Sequence, residues 1–257
     1  MGKIIKYVLY DILQNKIIIA YSLFLLLVSV SFLSLENDAG KGTLSLLNII
    51  LIVLPLVSIV FSTIHFYNSY EFIELLIAQP LPRNKILLSE FLGVCIALLM
   101  AFAIGVGLPI AMLSFTKAGA MLLLSGVLLT VVFTSLAFWA SVITNDKAKG
   151  IGISLMLWFY FSLIYDGLVL LLLLLFTFGD YPLEKAVMVL TALNPVDLGR
   201  IMILLKLDAS ALMGYTGALY KSFFSSGYGT AIASAVMLVW AIVPLLFALR
   251  MFKQKDL

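Results

Sequence analysis

The sequence has little charge, one cysteine and one histidine. Charged residues make up 11% of its 257 residues and hydrophobic residues 63%, whereas soluble domains carry about 25% charged residues. This composition excludes a water-soluble fold. The single cysteine, Cys95, excludes an internal disulfide framework and a multi-cysteine metal site. We expect Cys95 to be a small buried hydrophobic residue and His65 to form hydrogen bonds at the end of a membrane span.

Several binding motifs are also missing. The chain contains no GxxxxGK(S/T) phosphate loop and no HExxH zinc motif, so neither ATP nor zinc is expected to bind by those routes. The net charge is only +3 and no long basic run is present, which argues against a nucleic-acid partner. The ten methionines are scattered, and this favours packing over copper binding. We therefore expect no cofactor and no metal in this chain.

Six long hydrophobic runs dominate what is present. Each is long enough to cross a hydrocarbon core of about 30 Å, and because backbone polar groups in lipid must be satisfied within the segment, each run predicts a helix. The first run is too long for the apolar part of a signal peptide, so we expect it to be retained. The sequence thus predicts an all-α, polytopic membrane protein surrounded by lipid, with one domain over residues 1–257. The predicted spans are Ile17–Leu35, Leu44–Ile64, Phe91–Phe115, Ala120–Ile143, Ile151–Phe178 and Gly229–Arg250.

Lysine and arginine residues predict the orientation, because the cytoplasmic loops of membrane proteins are enriched in them. With the N-terminus inside, six of the 16 fall outside, and four of these six lie in one long loop that the rule weighs less. The ten on the inside are Lys3, Lys6, Lys16, Arg83, Lys85, Lys147, Lys149, Arg250, Lys253 and Lys255. Both termini are therefore predicted to be cytoplasmic.

Residues 1–16 carry the pattern of an amphipathic helix. Its apolar face consists of Ile4, Ile5, Val8, Leu9, Ile12 and Leu13. A helix of this kind lies in the membrane interface with its apolar face towards lipid. We predict an interfacial helix before the first span. The alternative is a simple extension of that span.

The polar segment 65–90, between the second and third spans, is predicted to be cytoplasmic and to contain a short helix. Residues 71–78 allow about two turns, and the prolines that follow end the helix because they push the preceding residue out of the helical region. The features of the segment are an apolar face of Phe72, Leu75 and Leu76, the acids Glu71 and Glu74, the prolines Pro80 and Pro82, and Arg83, which we expect at the lipid headgroups. Such a helix suits docking into a groove on a soluble partner; a solvated turn is the alternative.

The loop 179–228 is predicted to be external, and its length indicates internal structure. Asn194, Pro195 and Asp197 form a helix start, with an asparagine cap, a proline at the first position and an acid in the first turn. The predicted helices run from this start to about Leu207 and onwards from Asp208. Because charges at membrane depth are costly, we predict a helical platform that lies on the outer bilayer surface rather than a seventh span.

Asp166 is the one acid predicted to lie in the middle of a span, the fifth. A carboxylate within the membrane is a functional candidate by default; it would face a polar path, pair across a dimer or bind a cation. Two structural alternatives stay open. One is a protonated or hydrogen-bonded aspartate beside the hydroxyls of Tyr160, Ser162 and Tyr165, and the other is a position nearer the outer interface.

The 71–83 segment resembles the coupling helix of ABC-2-type transporter permeases. Its pattern is Glu71-x-x-Glu74-Leu-Leu-x-Ala-Gln-Pro80-x-x-Arg83, and it follows the second of six spans. The resemblance implies a homodimeric permease with no ATPase site of its own, while two separate cytoplasmic ATPase subunits bind ATP and Mg²⁺. It also implies which residues receive the movement of the ATPase, namely Glu71, Phe72, Glu74, Leu75, Pro80, Pro82 and Arg83.

The external segment resembles one branch of that family, the permeases of the transporter that helps to mature nitrous oxide reductase, a periplasmic copper enzyme. The matching residues are Leu193-Asn-Pro-Val-Asp197-Leu-Gly-Arg200 and Thr216-Gly217-Ala218. The resemblance implies a bacterial inner-membrane protein that passes the energy of cytoplasmic ATP to a periplasmic β-helical partner. A sulfur species, copper or movement alone would then reach the reductase. The residues implied to face that partner are Asn194, Pro195, Asp197 and Arg200.

Three other functions fit parts of the pattern. The same fold would serve as an exporter of an unrelated lipid, drug or small molecule. A passive membrane anchor for a periplasmic protein would need only the spans and the external loop. An intramembrane enzyme would need a nucleophile or an acid–base pair, for which Asp166 and His65 are the available groups.

Overall fold

The computed structural model describes residues 1–36, 39–113, 115–177, 189–204 and 227–255, which are helical apart from short connections. The helices are α1 (Gly2–Leu13), α2 (Lys16–Leu35), α3 (Ala39–Asn68), α4 (Tyr70–Ile77), α5 (Arg83–Phe102), α6 (Leu108–Leu113), α7 (Lys117–Ile143), α8 (Lys147–Phe159), α9 (Tyr165–Thr177), α10 (Pro195–Leu204) and α11 (Gly227–Gln254). Two π-helical turns, Ala103–Gly107 and Tyr160–Ile164, join α5 to α6 and α8 to α9.

Among the described residues, six helices are long and apolar enough to cross a membrane, in agreement with the predicted all-helical fold with six candidate spans. They are Lys16–Leu35, Gly40–Asn68, Arg83–Leu113, Lys117–Ile143, Lys147–Leu172 and Gly229–Gln254. Each overlaps one predicted span, and several continue further than predicted. The third begins at Arg83 rather than Phe91, because the helix starts directly after Pro82 and nothing in the polar stretch that follows interrupts it.

The fourth span, α7, is the centre of the bundle. α3 and α11 pack along it, and α5, α8 and α10 also contact it. In the most apolar stretch of α7, 72% of the residues are buried, whereas in the corresponding stretch of the fifth span 17% are buried. A helix that is apolar on all sides is normally surrounded by other helices, and α7 fits this rule. The fifth span instead leaves most of its surface to lipid or to another subunit.

The third span contains its π turn directly before Pro109. Proline has no N–H, and its ring clashes with the carbonyl four residues earlier, here that of Gly105. The wider turn over Ala103–Gly107 accommodates the proline without ending the span. Gly105 also allows the close approach of α2, because a Cβ at this position would lie 2.5 Å from the Cβ of Leu25.

Both ends of the described chain and α4 lie at one end of the bundle, which we name the terminal face. α1 is a separate helix there, because the Asn15 side chain accepts a hydrogen bond from the Ile17 N–H and starts α2 anew. The alternative of a continuous first span is therefore wrong. Val8 and Ile12 of α1 are buried against α5, and Gly93 leaves the space that Val8 occupies.

Residues 189–204, the described part of the long loop, do not lie on top of the bundle. Seven of the ten residues of α10 are buried, and α10 packs on α7, α11 and α3. Gly199 approaches Leu129 of α7 and Leu51 of α3. Each lies twelve residues, or about 18 Å of helix, from the end of its helix at the face opposite the terminal face.

The predicted surface platform is therefore wrong for the described residues, which form an inserted segment (residues 189–204) between the spans. The physical reason is that this segment has apolar residues on several sides, while its charged side chains find partners in the fifth span. The predicted end near Leu207, the helix after Asp208 and the Thr216–Ala218 pattern lie outside the described residues.

Candidate functional site

The short helix between the second and third spans is present as α4, Tyr70–Ile77, close to the predicted 71–78. It contacts the last part of α3 and the first part of α5. Glu71 lies in its first turn, where a negative charge is favoured by the helix dipole. α4 thus fills the angle between two spans at the terminal face.

The apolar face of α4 differs from the prediction. Ile73 and Leu76 are buried and hold the helix on the bundle, whereas Leu75 is 68% exposed. Glu71 and Glu74 are exposed beside it. The predicted face of Phe72, Leu75 and Leu76 is therefore divided, with Leu76 buried on the bundle, Phe72 half-buried and Leu75 exposed, and the role of Leu75 in docking stays a prediction. The free surface of α4 is acidic with one large apolar side chain.

The fourth predicted feature of this segment, Arg83, does not point away from the protein to anchor it. Its Nη1 donates hydrogen bonds to the carbonyl oxygens of Lys253 and Lys255, at 3.5 and 2.5 Å. These carbonyls lie at the C-terminal end of α11, where a cation is favoured by unpaired acceptors and by the helix dipole. Arg83, the first residue of α5, therefore joins this helix to the end of the sixth span.

Lys255 repeats this arrangement on the fourth span. Its Nζ donates hydrogen bonds to the carbonyl oxygens of Val142, at 3.0 Å, and Thr144, at 3.2 Å, at the end of α7. Burial lowers the pKa of Lys255, but the two carbonyls hold its ammonium in place. The segment that follows α4 is thus linked through Arg83 and Lys255 to the sixth and fourth spans.

Glu90 is a buried acid that the sequence analysis missed. It is 1% exposed, and its Oε2 lies 3.3 Å from Nε2 of His65. The same Nε2 lies 3.2 Å from the hydroxyl of Ser69, while Oε1 of Glu90 has no hydrogen-bond partner among the described residues. His65 therefore forms the hydrogen bonds expected of it, with one of its partners a carboxylate in the next span.

A sequence signal for Glu90 did exist. The residues one helical turn away from it, Ile86, Leu87 and Val94, are all apolar, and an acid within such a stripe is a functional candidate. It was assigned to a polar loop because the third span was predicted to begin at Phe91. Once the span begins at Arg83, the acid lies inside it.

A polar cavity of about 150 Å³ lies beside Glu90, at the junction of α1, α3, α4 and α5. Its walls include Tyr7, Asp11, His65, Ser69, Phe72 and Glu90. The rings of Tyr7 and Phe72 are stacked, with centroids 4.9 Å apart. The aromatic pair therefore connects the N-terminal helix to α4 at the cavity wall, and Glu90 lies in the same wall.

A second cluster of charged side chains connects the fifth span to the inserted segment. Nη1 of Arg200 lies 2.9 Å from Oδ2 of Asp166 and 3.2 Å from Oδ1 of Asp197. Asp166 lies 19 residues after Lys147, or about 28 Å along the fifth span. It lies in the last third of the span Lys147–Leu172, and its depth in the membrane stays a prediction.

The pKa of the Asp197 carboxyl is raised to about 7. Burial is the main cause and the Asp166 carboxylate the second, while Arg200 acts in the opposite direction. One guanidinium thus serves two carboxyl groups. A role of Asp166 in transport stays a prediction.

Asn194 is a helix cap, as predicted, and it also has a second function. Its Oδ1 accepts a hydrogen bond from the N–H of Val196 at 3.0 Å, and its Nδ2 donates to the carbonyl oxygen of Phe161 at 3.0 Å. Phe161 lies in the π turn of the fifth span, where a carbonyl is freed from the α-helical pattern. Asn194 and Pro195 are buried, so contact with an external partner can only be indirect for these two residues.

Two further hydrogen bonds hold the inserted segment. The Tyr165 hydroxyl donates to the carbonyl oxygen of Leu190, and Nε1 of Trp240, in the middle of α11, donates to that of Ala192 at 3.0 Å.

Cys95 is a buried thiol within α5, as predicted. Among the residues that the structure describes, no three His, Cys, Asp or Glu side chains are grouped to hold a metal ion.

The comparison with known proteins decides the family. A family model described as "ABC-2 family transporter protein" matches residues 7–257. The chain belongs to the ABC-2 transporter family. It is 29% identical over 273 residues to the "Probable ABC transporter permease protein NosY" of Stutzerimonas stutzeri, which covers 96% of this chain and 95% of the relative. The protein of the same name from Pseudomonas aeruginosa is 31% identical over 228 residues, or 80% of this chain and 82% of the relative.

This assignment confirms the resemblance that the 71–83 segment indicated. The protein is an integral membrane permease subunit with six candidate spans. Permeases of this family lack an ATPase domain, so separate ATPase subunits must bind and hydrolyse ATP for them. The function of this permease therefore depends on the surface on which such a subunit acts.

Proposed function

We propose that this permease works as a homodimer with two cytoplasmic ATPase subunits and passes their movement to a periplasmic β-helical partner in the maturation of the copper site of nitrous oxide reductase. Two observations support the branch. Two relatives named NosY match 96% and 80% of the chain, and the Leu193–Arg200 pattern resembles that branch.

The distribution of positive charge supports a cytoplasmic terminal face in a bacterial inner membrane. Arg83, Lys85, Lys147 and Lys149 lie at the ends of spans there, together with the basic residues of both termini. Lysine and arginine are enriched on the cytoplasmic side of membrane proteins. This orientation exposes α4 to the compartment that contains ATP.

The observation that carries the proposal is the division of α4 into two faces. Ile73 and Leu76 fix it to the bundle, while Glu71, Glu74 and Leu75 are exposed. A helix that is attached to two spans and free on its other side can receive a push without unfolding. The exposed acids and the exposed leucine predict a basic groove with an apolar pocket on the ATPase.

The contacts of the terminal face supply a route for that push. Ser69, directly before α4, bonds to His65 of the second span. Arg83, directly after the prolines, bonds to the end of the sixth span, and Lys255 continues from there to the fourth. Movement of α4 thus reaches three spans through short hydrogen bonds.

On the far side, the fifth span and the inserted segment are expected to move together. Asn194, Tyr165 and Arg200 form three separate links between them. Asp197 and Arg200 are partly exposed and keep a place in the proposed contact with the periplasmic partner. The buried Asn194 and Pro195 would act by holding the segment in position.

A charge reversal on α4 tests the role of this helix. We expect Glu71→Lys to weaken binding of the ATPase by about tenfold or more, because it places a cation against a basic groove. The measurement is the dissociation constant of the detergent-solubilised permease for its ATPase, together with ATP hydrolysis by the complex. The matched control is Glu36→Lys, an exposed acid outside the terminal face. Equal effects of the two variants would contradict the proposal.

A second experiment tests the nitrous oxide branch. Residues 205–226 are exchanged for the corresponding loop of an ABC-2 permease that exports a drug, and the copper content of nitrous oxide reductase is measured in the same cells. We expect the reductase to lack copper while the ATPase still co-purifies. A fully loaded reductase would favour an exporter of an unrelated substrate.

A further inference from the structure

We propose that the cavity beside Glu90 receives one ammonium or guanidinium group, carried by a basic side chain of the ATPase subunit. The inference rests on the proposed function, since it assumes that an ATPase docks on the terminal face. It adds a specific site to that docking, which lies next to α4 but is built mainly from α1 and α3, with Phe72 of α4 and Glu90 of α5.

One oxygen of the Glu90 carboxyl group is unpaired among the described residues. Glu90 is almost completely buried, and Oε1 has no partner among the described residues. A buried carboxylate oxygen without a donor is costly, and the cost is greater for a charged group than for a neutral one. Among the described residues the other oxygen makes one polar contact, to His65, and its length of 3.3 Å exceeds the length of about 2.7–2.9 Å that is usual for charge-assisted hydrogen bonds. The carboxylate therefore has free capacity for a cationic donor.

The cavity wall combines acidic and aromatic side chains. Asp11 adds an exposed carboxylate, and the stacked rings of Tyr7 and Phe72 form another part of the wall. Carboxylates combined with aromatic faces bind organic cations through ion pairing and cation–π attraction. A volume of about 150 Å³ is about five times the volume of one water molecule in the liquid. It therefore has room for the end of a lysine or arginine side chain.

Two basic groups of this chain next to the cavity have partners of their own. Nζ of Lys147 donates to Oδ1 of Asn68, a residue of the cavity wall, at 2.8 Å. His65 is shared between Glu90 and Ser69. The neighbouring acids on the free surface of α4 favour a basic partner surface. An ATPase side chain is therefore a better occupant than a group of the permease itself.

Photo-crosslinking in the assembled permease–ATPase complex tests the site directly. Benzoylphenylalanine replaces Tyr7, which lines the cavity, or in the control Tyr10, which is similarly exposed on the same helix but lies outside the cavity. We expect the Tyr7 probe to label an ATPase peptide that contains lysine or arginine, and the Tyr10 probe not to label that peptide. Labelling of an aminophospholipid, or of no ATPase peptide, from Tyr7 would overturn the inference.

Affinity measurements with a conservative variant provide the second test. We expect Glu90→Gln to weaken ATPase binding about tenfold and Asp11→Asn about threefold, because buried charge pairs contribute more than exposed ones. Substituting glutamine for the labelled ATPase residue should cost no further affinity in the Glu90→Gln background. Lys147→Ala should leave the wild-type affinity unchanged; a loss equal to that of Glu90→Gln would identify Lys147 as the occupant and overturn the inference.

These outcomes separate the site from the proposed function. If Glu71→Lys abolishes binding while Glu90→Gln binds as tightly as the wild type, α4 docks on the ATPase and the cavity has no part in docking. If neither variant changes the affinity, both proposals fail. If the Glu90→Gln loss and the ATPase substitution are additive, the two groups do not meet and the inference fails alone.

Discussion

The two charged clusters of this permease provide partners for their carboxyl groups in different ways. At the far face, Asp166 and Asp197 share the guanidinium of Arg200, so each carboxyl has a partner from the same chain. At the terminal face, Glu90 has His65 on one oxygen and nothing on the other among the described residues. Within the described part of the chain, every carboxyl group of the first cluster has a partner, and the second cluster leaves one oxygen unpaired.

The difference teaches what each cluster does. A complete ion pair between two segments holds them together, and breaking it by removal of one partner is strongly unfavourable. An incomplete pair contributes little to the stability of the free protein and leaves binding capacity for a partner. Each cluster is therefore expected to respond to substitution in its own way, and the predictions below test this contrast.

Removal of Arg200 should have the largest effect. We expect Arg200→Ala to lower the free energy of unfolding by about 2–3 kcal/mol, because two carboxyl groups then lose their common partner; the value allows for the partial exposure of the side chain. Chemical unfolding of the purified permease in mixed micelles measures it. Lys41→Ala, which removes an exposed cation, should change stability by less than about 0.5 kcal/mol.

Removal of His65 should have a smaller effect that depends on Glu90. We expect His65→Ala to cost about 1–2 kcal/mol, because Glu90 then has no partner on either oxygen among the described residues. In a Glu90→Gln background the cost should fall to the packing contribution of the ring alone. Equal costs in the two backgrounds, measured by a double-mutant cycle, would show that the pair is not coupled.

The sequence predicts the features that depend on local patterns. Spans depend on runs of about 20 apolar residues, and the start of α10 depends on the local pattern Asn194-Pro195-x-Asp197. Both were therefore predicted correctly. The pairing of Asp166 with Arg200 joins residues 34 positions apart, and no local rule specifies it. The insertion of α10 between the spans follows from that pairing and from packing on α7, so it could not be predicted.

The terminal face shows the same limit at shorter range. The positions of the two prolines predict the end of α4. A helix of eight residues, however, does not determine by itself which of its leucines is buried. That choice is made by the groove between α3 and α5. The capping of α11 by Arg83 spans 172 positions and was predicted instead as a contact with lipid headgroups.

The pH dependence of stability should come from the far-face cluster. The pKa of Asp197 is raised from 3.8 to about 7, so the folded permease binds a proton more tightly there than the unfolded chain. Stability therefore falls as the pH rises between these two values. We expect a lower melting temperature at pH 8 than at pH 5. Asp197→Asn should flatten this slope, and an unchanged slope in that variant would assign it to other groups.

The smallest effect is expected for Glu90→Gln in the isolated permease, and here the sign matters more than the size. The amide has almost the same shape as the carboxylate and removes a buried charge that is only half satisfied. Replacement of a buried charge by a neutral group of similar volume is often neutral or stabilising. We therefore expect a melting temperature equal to or slightly above that of the wild type, measured without the ATPase. A loss comparable to that of Arg200→Ala would mean that Glu90 is fully paired within the chain, and the contrast between the two clusters would disappear.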